Sequence, residues 1–392
     1  MCALKIAVIG DGQLARMMQP AAGELNIALQ VLSSNSASPA AQVIPKAITG
    51  DYKKLDDVRQ ASRGADVVTF EHEHVPGKII YKLIDEGVHF EPHPQALINA
   101  QDKLIMRKTL RALGAPVPPF AALTNQEDAE EFWDATQGAV CLKACRGGYD
   151  GHGVWFPESR EECVQIVTDQ LAKGVNMMGE LKVKLVRELS LLLARRRTGE
   201  LKCWSVAESV QKDGICWEAI APAPGISPGL ADRIREIGSI IADELDVTGV
   251  MAVELFETRD FNGQPDVFVN ELAMRPHNTG HWTQDGSLTS QFEQHLRAVA
   301  DLPLGAPSRT AAYTVMANVL GAPEEPSLSE QDRMKEVWLR HPQAKIHMYG
   351  KDWRPGRKLG HVNICGEDPA GTRRIARECA HMMETGRWPE EG

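Results

Sequence analysis

Two apolar runs, Val250–Glu257 and Asp266–Leu272, flank the dipeptide Asn262-Gly263, whose backbone preferences favour a tight hairpin turn. With that turn at the centre, Glu254 falls opposite Glu271 on one face of the hairpin. Each carboxylate sits among apolar neighbours, Met-Ala-Val-Glu-Leu-Phe on one strand and Val-Phe-Val-Asn-Glu-Leu on the other. Facing carboxylates repel across a β-ladder. In half-buried strands, desolvation then raises one pKa or demands a bound cation. Hard oxygen ligands suit Mg2+, with Mn2+ as a substitute, and Asn270 offers a third oxygen beside them. The alternative is a longer loop that shifts the register and exposes one of the two carboxylates.

A bound cation makes most sense beside phosphate, and the chain has two glycine-rich turns. Gly147-Gly-Tyr-Asp-Gly-His-Gly153 separates a predicted strand over Ala139–Ala144, which carries Lys143, from a second over Val154–Phe156. So many glycines are entropically costly unless the backbone must lie against phosphates, with Lys143 alongside as a point charge. Tyr149 and Asp150 then read as groups that reach the substrate when the loop closes. A mobile hairpin tip without function is the plain alternative. No GxxxxGK[ST] motif occurs, which excludes a P-loop nucleotidase.

The other turn, Gly10-x-Gly12-x-x-Ala15, follows a predicted strand over Leu4–Ile9 and opens a helix, the spacing of a dinucleotide fingerprint. That fingerprint needs an acidic residue at the end of the next strand, Ile27–Leu32, where this chain reads Ser33-Ser34-Asn35. An NAD-dependent oxidoreductase is therefore disfavoured. What survives is an anion-binding turn in which Gly12, Gln13 and Leu14 offer backbone N–H groups.

The first hundred residues alternate strand and helix signals, which predicts an α/β fold with a doubly wound parallel sheet. A helix over Gln101–Leu113 ends at Gly114, and Ala115-Pro-Val-Pro-Pro119 is a stiff connector. From about Leu181 the pattern becomes β-rich, with strands over Lys184–Arg195, Cys203–Val210 and Gly214–Ala221. Arg195-Arg-Arg197 reads as an exposed hairpin end without a role. Gly305-Ala-Pro307 opens a last section of short strands and turns that ends in a helix over Arg373–Glu384.

Charge narrows the partners. The 392 residues carry a formal charge of −10, which argues against nucleic acid and anionic membrane surfaces. Basic residues concentrate in two places, Arg275-Pro-His-Asn-Thr-Gly-His-Trp282 and Lys351-Asp-Trp-Arg-Pro-Gly-Arg-Lys-Leu-Gly-His361. The second has a Pro355-Gly356 turn that directs Arg357 and Lys358 one way, as a phosphate clamp would, although a solvated charged face reads the same. Glu71-His-Glu73-His74 completes no metal motif; carboxylates at a strand end opposite a glycine turn suit a ligand's hydroxyl or amine groups. Eight cysteines without a CxxC pair predict reduced thiols rather than zinc or disulfides. No run approaches the ~18 apolar residues of a membrane span. The start, MCALKIAVIG, enters a strand without a leader pattern, and the expected compartment is the cytoplasm.

Taken in order, GDGQLARMM, TFEHEHV, GGYDGHG, VMAVELF, NELAMRPHNTGHWT and RPGRKLGH resemble the 5-(carboxyamino)imidazole ribonucleotide synthases. These are ATP-grasp enzymes of bacterial and fungal purine biosynthesis, and the resemblance covers roughly residues 4 to 365. It implies ATP-dependent carboxylation of aminoimidazole ribonucleotide by bicarbonate, through carboxyphosphate, by a homodimer. It also implies an ATP-grasp architecture: a ribonucleotide-binding domain over 1–103, a lid over 104–180, a catalytic subdomain over 181–304 and a C-terminal section over 305–392.

Carried over by position, Lys103 and Lys143 meet the ATP phosphates under the loop Gly148, Tyr149, Asp150, Gly151, His152, Gly153 and Val154. Glu180, Leu181, Lys182 and Val183 run along the adenine edge, and Glu188 holds the ribose. Glu254 and Glu271 hold magnesium, with Asn270 beside it. Gly12, Gln13, Leu14, Glu71 and Glu73 receive the ribonucleotide, joined by Tyr149, Asp150, Lys351, Arg357 and Lys358. Arg275, His277 and Asn278 lie where bicarbonate, the γ-phosphoryl group and the amine meet, and Asp150 and His277 are candidate proton acceptors. The chain departs from the family at Ser209-Val-Gln211, where relatives often carry Asn-x-His, so a nucleotide contact by Gln211 stays open. The nearest rival is another ATP-grasp ligase, such as a formate-dependent glycinamide ribonucleotide transformylase.

Overall fold

A computed structural model describes residues 4–147, 153–212 and 214–389. Its N-terminal unit is a parallel sheet of β1 (Lys5–Ile9), β2 (Ala28–Ser33), β3 (Lys46–Thr49) and β4 (Val67–Phe70), in the order β3-β2-β1-β4. Ile6 to Ile9 of β1 are fully buried, as expected of a central strand covered on both faces. The strand order reverses direction at β1, which has β2 on one side and β4 on the other. In such sheets the crevice beyond the carboxyl ends at that switch point receives ligands. Here those ends carry Gly10–Gly12 and Glu71–Glu73.

A second, small antiparallel sheet contains β5 (Phe120–Leu123), β6 (Val140–Ala144), β7 (Val154–Trp155) and β8 (Met177–Leu181), ordered β5-β8-β6-β7. Lys143 pairs with Met178 and Val154, and Glu180 pairs with Cys141 and Phe120, so both charged side chains belong to adjacent central strands.

The third sheet has nine strands: β9 (Arg187–Arg195), β10 (Leu201–Cys203), β11 (Ala207–Lys212), β12 (Ile215–Ala221), β13 (Gly249–Arg259), β14 (Pro265–Ala273), β15 (Tyr313–Leu320), β16 (Lys345–Met348) and β17 (Lys358–Gly366). Its path is β14-β13-β9-β11-β12-β15-β17-β16, with β10 paired to β9. The sheet continues across residue 305, because β12 pairs with β15, so the C-terminal strands extend the same sheet that holds Glu254 and Glu271. The C-terminal strands β15 and β17 run for eight and nine residues, longer than the short strands expected there.

Three local expectations are corrected. The helix expected over Gln101–Leu113 begins two residues later, as Lys103–Ala112, because Asp102 caps it with a carboxylate that accepts the N–H groups of Leu104 and Ile105 at 3.1 Å; Gln101 instead ends a preceding helix, Pro94–Gln101. The strand expected over Cys203–Val210 divides at Trp204, a buried side chain whose Nε1 donates to Ser287 Oγ and the Thr289 carbonyl, each at 3.1 Å. Arg195 is buried, not exposed, and its guanidinium pairs with Asp243 and Asp246 at 2.8 Å each.

The N-terminal and nine-stranded sheets are joined through His295. Its Nδ1 accepts the Val250 N–H at 3.1 Å, so the proton sits on Nε2, which lies 2.9 Å from Thr69 Oγ1. The adjoining Gly249 has φ +116° and lies against the imidazole, where a side chain would be both strained and crowded.

Candidate active site

A cavity of about 1000 Å³ opens where the three sheets meet. Lys143, Val154, Glu180, Leu181, Lys182 and Val183 line its lid side. Glu188, Gln211, Glu254, Asn270 and Glu271 come from the nine-stranded sheet, and Lys103 from the N-terminus of helix Lys103–Ala112. Arg275, His277 and Asn278 follow β14 along the wall, which Glu73 and Lys358 complete. Gly148, Tyr149, Asp150, Gly151 and His152 lie outside the described residues; Gly153 accepts the Ala144 N–H at 2.9 Å, closing the base of that loop.

The two carboxylates do pair, but the hairpin reaches that register by an unexpected route. From Arg259–Pro265 to Leu255–Val269 the pairing would set Glu254 against Asn270. A β-bulge between Glu254 and Leu255 then removes Asn270 from the ladder and brings Glu271 opposite Glu254. Burial, the Glu271 charge and then Glu188 push the Glu254 carboxyl up to about 8. Lys103 Nζ lies 2.9 Å from Glu271 Oε2, and His277 Nε2 lies 3.2 Å from Glu254 Oε1.

His277 is neutral: burial first, then Arg275 and Lys358, push it down to about 3. Its Nδ1 lies 2.8 Å from Thr279 Oγ1, which lies 2.7 Å from Ser190 Oγ. The Thr279 backbone N–H also points at Nδ1, at 3.4 Å, so Nδ1 is an acceptor and Nε2–H faces Glu254.

Lys143 Nζ lies 2.5 Å from Glu180 Oε2 and donates to Asn270 Oδ1 at 3.2 Å. Burial alone would raise the Glu180 carboxyl, but Arg107 and Lys143 outweigh it and hold the group below its ordinary value. Glu188, with only Lys143 pulling against burial, is pushed up to about 7. Gln211 is on the wall, its Nε2 donating to Ser209 Oγ at 2.7 Å. Arg146, at the start of the glycine loop, donates to Asp102 at 2.8 Å and so ties that loop to the helix bearing Lys103.

A second group of predicted residues does not line this cavity but collects beside it, at the switch point of the parallel sheet. The Glu71 carboxylate occupies the space that a Gly12 side chain would need and accepts the Leu14 backbone N–H. Burial pushes it up to about 7 against the pull of Arg275. Gln13 Oε1 accepts from Lys351 Nζ at 2.6 Å. Burial and then Arg357 lower Lys351 to about 8, with Glu71 opposing and Lys358 and Arg354 adding to the fall, so four cations and one carboxylate share this corner. Gly321 carries the loop 354–357: it donates to the Arg357 carbonyl, accepts from Gly356 N–H, both at 2.8 Å, and lies too close to the Arg354 carbonyl for any side chain.

Arg275 connects the two groups. Its Nε is 2.9 Å from Glu73 Oε1, and Glu73, Glu71 and Glu271 together overcome the effect of burial and raise its pKa. Sequence reasoning missed Arg107, whose fully buried guanidinium binds Glu180 and the Asn270 carbonyl; only its helical position, four residues after Lys103, was visible in the chain. All seven described cysteines are free thiols. Among the described residues, no helix is long and apolar enough to cross a membrane, and no three His, Cys, Asp or Glu side chains converge as a self-sufficient metal cage.

A parallel-sheet domain, a small antiparallel lid and a large sheet bearing paired carboxylates, all opening on one cavity, define an ATP-grasp ligase. The ATP-grasp domain model matches residues 108–292, preceded by the ribonucleotide synthetase preATP-grasp domain over 3–101 and followed by the phosphoribosylaminoimidazole carboxylase C-terminal domain over 314–374. The chain belongs to the N5-carboxyaminoimidazole ribonucleotide synthase family. It is 54% identical over 385 residues to the member from Corynebacterium ammoniagenes, covering 98% of this chain and 93% of that one. It is 32% identical to the Bacillus subtilis member, over 92% and 90% of the two chains. The crystal structure of the Thermus thermophilus synthetase superposes with a TM-score of 0.86 at 32% identity, over 98% of this chain and all of that one. An Aspergillus clavatus synthase in complex with ADP and 5-aminoimidazole ribonucleotide superposes with a TM-score of 0.86 at 28% identity, over 97% and 98% of the chains.

Proposed function

We propose that this chain carboxylates the exocyclic amine of 5-aminoimidazole ribonucleotide with bicarbonate, consuming ATP and releasing ADP and phosphate, as a step of purine biosynthesis. The observation that carries the reading is Arg275, which pairs with Glu73 at the ribonucleotide side and stands beside Glu271 at the nucleotide side. A reagent made from ATP on one side can thus meet an amine held on the other.

Adenine and ribose would lie along Glu180–Val183 and Glu188, with Lys143 and Lys103 on the phosphates. The ribonucleotide phosphate would take Lys351, Arg357 and Lys358 and the Gly12–Leu14 turn, while Glu71 and Glu73 accept from its hydroxyl or amine groups. Tyr149 and Asp150, in the loop over the phosphates, would complete both pockets. The residues fit a divalent cation: two facing carboxylates have, among the described residues, Lys103 as their one close side-chain cation, and burial and mutual repulsion raise the Glu254 carboxyl. Glu254 and Glu271, beside Asn270, would hold Mg2+, with Mn2+ as a substitute and nucleotide phosphates completing the shell. When bound, the ion would offset charge on the phosphates.

A bicarbonate oxygen attacks the γ-phosphorus and the bond to the β-phosphate oxygen breaks, giving ADP and carboxyphosphate. Lys103, Lys143 and Arg275 stabilise the charge that accumulates on the transferring group. Phosphate then departs from the carboxyl carbon, the amine nitrogen bonds to that carbon, and the amine proton passes to the departing phosphate, since His277 Nε2 already carries one. Arg275, His277 and Asn278 orient the reactants, so the second step becomes a matter of proximity. Closure of the glycine loop would keep water from carboxyphosphate. We further propose that the chain works in the cytoplasm as a homodimer, and that residues 1–103, 104–180, 181–304 and 305–392 act as its ribonucleotide, lid, catalytic and clamp segments.

ADP release measured with aminoimidazole ribonucleotide and bicarbonate tests the reading. Turnover should require both; release that instead requires glycinamide ribonucleotide and formate would replace it with the transformylase reaction.

A further inference from the structure

Arg107 is fully buried on helix Lys103–Ala112 and is not part of the cavity wall. A guanidinium in such a place needs carboxylate and carbonyl partners to offset its desolvation. It has two, from different sheets. Its Nε pairs with Glu180 on β8 of the lid, and its Nη2 donates to the Asn270 carbonyl on β14 at 2.6 Å.

Both partners are places where a charge or a dipole would otherwise be stranded. Glu180, itself buried, is shared by Arg107 and Lys143. On the reading above, Lys143 turns towards nucleotide phosphate, and without a second cation Glu180 would remain as an unpaired buried carboxylate. Asn270 is the residue that the bulge expels from the ladder, so its backbone lacks a regular cross-strand partner. Arg107 supplies the missing donor.

We propose that Arg107 is a positioning residue that makes the lid strand and the carboxylate bulge one unit: Nε keeps Glu180 paired when Lys143 engages phosphate, and Nη2 fixes the bulge that sets Glu271 opposite Glu254. The inference rests on the nucleotide reading of the cavity.

The two contacts can be separated by calorimetric titration of ADP, first without metal and then with magnesium chloride. Arg107→Met should weaken metal-free ADP binding by about tenfold or more and abolish the enhancement by magnesium. The double variant Arg107→Met/Glu180→Gln removes the stranded charge but leaves the Asn270 carbonyl without its donor. Measured against Glu180→Gln alone, because Glu180 also borders the adenine, its metal-free ADP affinity should agree to within about threefold while the magnesium enhancement stays lost. Wild-type behaviour of Arg107→Met in both titrations, or recovery of both or of neither in the double variant, would overturn the assignment. If Arg107→Met does not fold, the double variant decides by the same split. Failure of the unsubstituted protein to bind ADP would overturn the nucleotide reading, and this inference with it.

Discussion

Glu254 stands opposite Glu271 because Asn270, the residue before Glu271, is squeezed out of the β13–β14 ladder. Two carboxyl groups are thereby held face to face, and Lys103 and His277 each approach one of them, at 2.9 and 3.2 Å. The bulge also turns the Asn270 amide oxygen towards Lys143 and its carbonyl towards Arg107. One extra residue in a strand thus sets the geometry of four charged groups.

Replacing Glu271 by alanine should lower turnover by about a hundredfold or more, since it removes half of the proposed magnesium site. Its side chain is 40% exposed, so the melting temperature should hardly move. ADP-release assays beside a thermal melt check both statements, and near-normal turnover would remove the magnesium assignment.

Lys358→Ala should act on the other substrate. Lys358 opens β17 and reaches the cavity wall, while its neighbours Arg357 and Lys351 lie in the adjoining corner. Loss of one charge-assisted contact to a phosphate predicts a rise in the KM for the ribonucleotide of about tenfold, with that for ATP changed less than about twofold. An effect confined to ATP would contradict the clamp.

Gly12→Ala should be costly although the position is not strained, because the new methyl group would overlap the Glu71 carboxylate. Overpacking of this kind costs about 1–3 kcal/mol and should also displace Glu71 from the Leu14 N–H. Gly23→Ala, near the other end of the same helix with open space around it, is the control and should leave stability unchanged or slightly raised. Thermal melts of the two variants compare them directly.

His295 predicts acid lability. Burial pushes its imidazole down to about 3, whereas in the unfolded chain it titrates at about 6.5. Between those values the unfolded state binds a proton that the native state refuses, so stability falls as pH drops, by up to about 1.4 kcal/mol per pH unit for this one group. Urea unfolding from about pH 7 to about pH 5 should show a shallower loss in His295→Gln than in the parent. An unchanged slope would show that His295 is not held neutral.

The parallel sheet, the lid strands around Lys143 and the Asn262-Gly263 hairpin were legible in the chain because each is written in local signals: apolar runs, helix starts and turn dipeptides. The start of helix Lys103–Ala112 was not, since the capping carboxylate of Asp102 follows another helix directly and looks like one more polar position. The Glu254–Glu271 pairing followed from the turn, but the hairpin attains it through a bulge that turn chemistry does not encode.

What the chain alone determined was which chemistry was available: paired acids, glycine turns and basic residues gathered in two segments, each a property of residues close in sequence. Which of them meet was left to the tertiary structure. Gln13 and Lys351 touch across 338 positions, and Arg107 and Glu180 across 73. Such contacts exist because packed sheets must pair every buried charge, a requirement that acts on spatial neighbours and leaves no periodic trace along the sequence.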